Sequence, residues 1–135
     1  MGGTMNTSVI EECIRLSFAD KLTFPEVVKR LVAIGVERYH ADLSRLQNTY
    51  YNLSGETAQY PLPLDNPPAI HEQFSASEVA EALRAIQGGK IDYGEFLRRI
   101  MKAGAASYDV FMGGRKAIYT GRRGDFYVEN FPGSK

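Results

Sequence analysis

Gly35-Val36-Glu37-Arg38-Tyr39-His40-Ala41-Asp42 decides the fold, because its outline returns 69 residues later as Gly104-Ala105-Ala106-Ser107-Tyr108-Asp109-Val110-Phe111. In both stretches a glycine closes a helical pattern, and the spacing of apolar residues then drops from the helical 3.6 to the strand period of 2. Tyr39, Ala41 and Leu43 alternate with Arg38, His40 and Asp42, and Tyr108, Val110 and Met112 alternate with Ser107, Asp109 and Phe111. Such alternation marks a strand with one covered and one open face. Extending the same shift outward, Ser8 to Gly55 aligns without a gap on Ser77 to Gly124, with ten of 48 pairs identical. Roughly three identities are expected by chance, and the matched positions start, stop or turn elements, which points to internal duplication.

Upstream of the decisive stretch each half carries two amphipathic helices. Ile10, Cys13, Ile14 and Phe18 recur at helical spacing in the first half, as Val79, Ala82, Leu83 and Ile86 do in the second. Ser8 with Glu11 and Ser75 with Glu78 have the spacing of a capping box, in which hydroxyl and carboxylate satisfy free amides of the first turn. Thr23-Phe24-Pro25-Glu26 and Asp92-Tyr93-Gly94-Glu95 open the second helix of each half, ended by Gly35 and Gly104. Downstream, Gln47 to Leu53 and Lys116 to Thr120 read as second strands, Gly113-Gly114 as a two-residue hairpin, and Thr57 to Leu62 and Phe126 to Phe131 as third strands.

Pro61 to Pro68 holds four of the six prolines and predicts a stiff, extended connector. It separates halves rather than domains, since a unit of about 55 residues leaves its apolar faces uncovered. The predicted organisation is one domain over 1–135, with repeat one at about 8–62, the connector at 61–76 and repeat two at about 77–131. The predicted class is α+β: a duplicated helix-helix-β-hairpin unit forming an antiparallel sheet of about six strands with four helices packed on one face.

Sixteen basic and sixteen acidic residues cancel, so nothing steers the chain toward nucleic acid, which is an unlikely partner. The single cysteine, Cys13, excludes an internal disulfide and the CxxC patterns of zinc and redox sites. Without a basic-then-apolar leader or a long apolar run, the expectation is a cytoplasmic chain with no membrane partner. Met1-Gly2-Gly3-Thr4 before Met5 is assigned no structural role.

Gly89 to Phe96 imitates the second half of a calcium loop, but its first half would need oxygen ligands where Arg84, Ile86 and Gly88 stand. The glutamates are better read as capping residues. His40 with Asp42 falls short of a metal site because His71 is the only other histidine, and neither metal nor cofactor is expected. Cys13 sits on an apolar stripe, where a free thiol is inert packing.

The candidate catalytic residues are His40, Asp42 and Arg38 on the polar face of one strand, where aspartate can orient an imidazole and arginine can hold an anion. The competing reading is an ordinary solvated sheet face. Tyr39, Tyr50, Tyr119 and Arg115 are candidate ligand contacts on an aromatic sheet face bordered by Arg115, Lys116, Arg122 and Arg123, facing a partner strand or a small aromatic molecule. Their plain alternative is cross-strand packing.

Phe24-Pro25-Glu26-Val27-Val28, Gly35 to Asp42, Thr49-Tyr50-Tyr51 and Glu129-Asn130-Phe131-Pro132-Gly133 resemble the small bacterial proteins of unknown function labelled prophage or phage-envelope-like. The resemblance covers nearly the whole chain from about Thr7 and implies prophage association, with no catalytic residue to transfer. The expected function is non-catalytic binding or interaction, with a homodimer formed through a strand edge or the aromatic face. The alternative is a small enzyme or ligand-binding protein that uses the polar face around His40.

Overall fold

A computed structural model describes residues 5–132, so the Met1–Thr4 leader and Gly133 of the tail lie outside the described residues. Two helices, α1 (Thr7–Phe18) and α2 (Phe24–Ala33), precede a three-stranded meander of β1 (Val36–Asp42), β2 (Gln47–Asn52) and β3 (Thr57–Pro61). After the connector the order repeats as α3 (Ala76–Gln87), α4 (Tyr93–Lys102), β4 (Ala105–Phe111), β5 (Lys116–Gly121) and β6 (Phe126–Asn130). Each bound in the second half is the corresponding bound of the first advanced by 69, for example Val36 + 69 = Ala105. The repeated element is therefore two helices and three strands, one strand more than a hairpin.

The six strands form one antiparallel sheet in the order β3-β2-β1-β4-β5-β6. β1 and β4 join the halves, and their register is reciprocal: Arg38 faces Phe111, His40 faces Asp109 and Asp42 faces Ser107. The strand pair thus has a local two-fold at His40 and Asp109. Main-chain bonds from Leu43 to the Ala106 carbonyl and from Met112 to the Glu37 carbonyl, both 3.0 Å, close the seam at its two ends.

One sheet face is covered by helices. Tyr39, Ala41, Tyr50, Tyr108, Val110, Ala117 and Tyr119 are buried on it, in one core with Ile10, Leu31, Val79, Leu97 and Ile100 from the helices. The opposite face, with Arg38, His40 and Asp42, is half-buried and carries no helix. Burying large aromatic and aliphatic side chains on one side only is what holds such a layered sheet together.

Local signals explain the boundaries. Thr23 and Glu26 form a complete capping box at α2, while Ser75 and Asp92 accept the main-chain N–H groups of Glu78 and Glu95 at α3 and α4. Gly35 and Gly104, at φ +87° and +97°, take the left-handed conformation that ends a helix cheaply only in glycine. Two expectations fail. The Ser8–Glu11 box is absent: α1 begins two residues earlier with Asn6 at its cap, and the Ser8 hydroxyl donates to the Asn6 side chain. Gly113-Gly114 is no two-residue turn, because the paired residues Phe111 and Lys116 are joined by a longer loop whose left-handed residue is Arg115, as Leu46 is in the first half.

The connector is extended, as its prolines require, but it is not loose. Leu62 and Leu64 are buried, and the main-chain N–H groups of His71 and Ser75 bond the Met101 and Ala103 carbonyls at the end of α4. His71 is tied down with it.

Candidate functional site

The covered face of the sheet does not meet the helices everywhere. Beneath α1, α2 and the α3–α4 loop lies a cavity of about 430 Å³. Its floor is the inner face of β1, β2, β4 and β5, with Tyr39, Asn48, Tyr50, Tyr108, Ala117 and Tyr119. Cys13, Ile14, Phe96 and Tyr93 wall it from the helices, and exposed Asp20, Thr23, Phe24 and Gln87 stand at its mouth. A groove of about 500 Å³ between α1 and Tyr60-Pro61 is shallower and more open, and it offers no buried polar group. We therefore place the site in the tyrosine-floored cavity.

The floor is an arrangement of matched ring pairs. Tyr39 and Tyr50, opposite each other in the β1–β2 register, have centroids 5.1 Å apart and are tilted by 32°. Tyr108 and Tyr119, opposite each other in β4–β5, repeat this at 5.0 Å and 31°. Tyr39 and Tyr108 meet edge to face across the seam at 6.3 Å. The Tyr93 and Tyr108 hydroxyls bond each other. Burial holds the phenols of Tyr39, Tyr50, Tyr108 and Tyr119 protonated well above the usual tyrosine range, and pushes Tyr93 up to about 12.

Asn48 is the anomaly. It is 3% exposed on the cavity floor; its Nδ2 donates to the Tyr50 hydroxyl at 2.9 Å, and its Oδ1 has no partner among the described residues. An unmet buried acceptor costs about 1–3 kcal/mol, and nearly all such groups in folded proteins find a partner.

Among the described residues, no lysine or arginine lines the cavity. Glu129 at the rim is already bound by Arg84 at 3.1 Å, Gln87 at 3.0 Å and the Tyr127 hydroxyl at 3.0 Å. Burial pushes the Cys13 thiol up, so it stands in the wall as an unreactive group rather than a thiolate.

The residues singled out from the sequence divide between two faces. Tyr39, Tyr50 and Tyr119 are together on the cavity floor. Arg115 lies apart, in the β4–β5 turn, with its guanidinium 5.5 Å from the Phe131 ring centroid. His40, Arg38 and Asp42 emerge on the opposite face, because adjacent strand residues point to opposite sides. They do not converge there. His40 Nδ1 lies 2.8 Å from Asp109 of β4, Asp42 accepts the main-chain N–H groups of Ser44 and Arg45, and Arg38 lies over the Tyr51 ring at 3.8 Å. The tyrosines of the aromatic face line the covered side of the sheet, with Tyr51 as the outward exception packed under Arg38. Asn48 was the residue that sequence reasoning missed.

Among the described residues, no three His, Cys, Asp or Glu side chains gather to hold a metal ion, and no helix is long and apolar enough to cross a membrane. Compared with protein-family models and with curated proteins, the chain matches none.

Proposed function

We propose that this is a small-molecule-binding protein without catalytic activity, its ligand lodged between helices and sheet. The observation that carries the reading is the cavity of about 430 Å³ itself, floored by Tyr39, Tyr50, Tyr108 and Tyr119 and walled by apolar side chains. That volume falls within the roughly 300–1,000 Å³ typical of small-ligand sites, which combine apolar walls with a few placed polar groups. An enzyme built around His40 finds less support, since that imidazole opens onto a flat sheet face away from the cavity. The cytoplasm suits a protein with one buried, unpaired cysteine. Prophage association rests on the sequence resemblance, and descent of the halves from one unit rests on ten identities and matching element bounds.

The test uses N-phenyl-1-naphthylamine, an uncharged probe that brightens in apolar sites. The expected result is saturable one-to-one binding that also raises the thermal midpoint of the chain. Fluorescence that never saturates, with the thermal midpoint unchanged, overturns the proposal.

Association of two copies is a second reading, favoured by edge strand β6, where Phe126 is 63% and Val128 38% exposed. Sedimentation showing only monomer at about 100 µM, far above the Kd of a specific interface, would end it.

A further inference from the structure

The hydroxyls of the cavity floor narrow its ligand, an inference that rests on the small-molecule reading above. We infer that the cavity takes a flat, uncharged ring compound bearing a carbonyl-type hydrogen-bond acceptor, a cyclic ketone or quinone, and that two floor tyrosines, Tyr39 and Tyr119, donate to it. Three observations lead there.

The first is how the hydroxyls are used. In each ring pair one hydroxyl is held by a neighbour and the other is not. Tyr50 is bonded by Asn48, and Tyr108 shares a bond with Tyr93. Tyr39 and Tyr119, the other members of the two pairs, have no hydrogen-bond partner among the described residues. Nor are their hydroxyls sealed off. Asn48 Oδ1 is the one buried side-chain polar atom there that lacks both a partner and accessible surface, so the Tyr39 and Tyr119 oxygens keep some surface, and under the helices that surface faces the cavity. Both residues are otherwise 5% exposed, so bulk solvent does not serve them.

The direction of the unmet bonds is the second. A phenol donates better than it accepts, because its oxygen lone pair is drawn into the ring while its O–H is acidic. Burial also holds both phenols protonated well above the usual tyrosine range, so the hydrogens stay in place at any working pH. A carbonyl oxygen, with two lone pairs and no hydrogen, answers such donors fully. A ring N–H has only the weak phenolic oxygen to use and leaves the phenolic hydrogens unpaired.

Charge and shape supply the third. With no lysine or arginine lining the cavity among the described residues, a carboxylate or phosphate entering it would lose water without gaining a counter-charge. The paired rings give a broad aromatic surface suited to a flat ligand. Tyr39 on β1 and Tyr119 on β5 are separated by β4, two strand spacings or about 10 Å at the backbone. One carbonyl can therefore take either hydroxyl, and removing a single one leaves the other.

1-Indanone, indole and indane share size and shape but offer an acceptor, a donor and neither. Calorimetric titration of the full chain and of the double variant Tyr39→Phe/Tyr119→Phe, which keeps both rings, compares each ligand with itself and so cancels its transfer from water. 1-Indanone should lose about fivefold in affinity, while indole and indane should stay within about twofold of their wild-type values. 1-Indanone-5-carboxylate, the same ketone with a charge, should show no binding to the wild-type protein. Equal losses for 1-indanone and indole, an unchanged 1-indanone, or measurable binding of the carboxylate overturns the inference while leaving the small-molecule reading intact. A second measurement needs no variant. The carbonyl stretch of bound 1-indanone should lie at lower frequency than in cyclohexane, where nothing donates to it; a stretch at the cyclohexane position overturns the inference even if the double variant does not fold. Failure of the naphthylamine probe, by contrast, removes the site itself.

Discussion

The two halves of this protein share element bounds and differ in how tightly they are filled. α4 buries Phe96, Leu97, Ile100 and Met101, whereas α2, at the corresponding place in the first half, buries only Leu31. Val27 stands where the second half has Phe96, Val32 where it has Met101, and Phe24 where it has Tyr93. Tyr93 is inside, bonded to Tyr108, while Phe24 is 39% exposed and meets the Phe131 ring at the edge of the molecule. The cavity lies between them, lined by Cys13, Tyr39 and Tyr50 from one half and by Phe96, Tyr108 and Tyr119 from the other. A shared backbone plan, set by glycines, caps and strand period, thus tolerates one loosely and one tightly packed second helix.

The largest expected difference tests that division directly. Phe96→Ala should cost about 3–5 kcal/mol, because it removes a buried ring that packs against Tyr93 and Tyr119. Val27→Ala, its counterpart, should cost only about 1 kcal/mol, since the valine is half-buried beside space that already exists. Urea unfolding of both variants measures the contrast, and equal losses would mean that the first half is packed as firmly as the second.

Next come the two helix-ending glycines. Gly35→Ala forces a left-handed alanine into open space, at about 1–2 kcal/mol. Gly104→Ala adds a steric overlap with the Gln73 carbonyl, because the connector crosses the second half at that point, and should cost on the order of 3 kcal/mol or more. Thermal midpoints that drop equally in the two variants would show that the connector yields easily there.

These cases also show what was readable in the chain. Gly35 and Gly104 announced themselves because a helix stop followed by period-2 alternation has few other solutions. Local signals of that kind placed all six strands and four helices to within a residue or two. The glycine pair at Gly113 misled because hairpin loop length depends on strand register, which a dipeptide does not set. The site was half legible. Alternation put Tyr39 and Tyr50 on one face and His40 on the other, but which face the helices cover, and how completely, is decided by packing. Asn48 was visible in principle: Asn48, Tyr50 and Asn52 share the inward face of β2, and an amide in such a row is a polar group in a place meant for apolar ones.

The exchange of Asn48 and its counterpart Ala117 probes the cavity floor. Asn48→Leu should raise stability by about 1 kcal/mol, since it removes an unsatisfied buried acceptor. Ala117→Asn should lower stability by about 2 kcal/mol, burying a second amide with no partner prepared for it. Paired unfolding titrations give both numbers. A fall in stability for Asn48→Leu would mean that its bond to Tyr50 outweighs the vacancy at Oδ1, and the amide would then be structural.

The smallest effect belongs to the one place where the halves face each other at equal positions. His40 + 69 = Asp109, and these two residues sit opposite one another in the β1–β4 register with 2.8 Å between imidazole and carboxylate. Identical residues there would confront themselves across the two-fold, so a complementary pair is a departure that only unequal halves can make. Both side chains are about one-third exposed, at 35% and 32%, so solvent screens the pair and a double-mutant cycle should return about 0.2–1 kcal/mol. His40→Asp alone sets two carboxylates against each other and should be the worst of the set. Combining it with Asp109→His restores the pair in reversed order, and near-wild-type stability is then expected because the seam around the axis is reciprocal. If the reversed pair stays as unstable as the single variant, the two sides of the seam are not interchangeable, and the asymmetry of the halves extends beyond the cavity to the open face of the sheet.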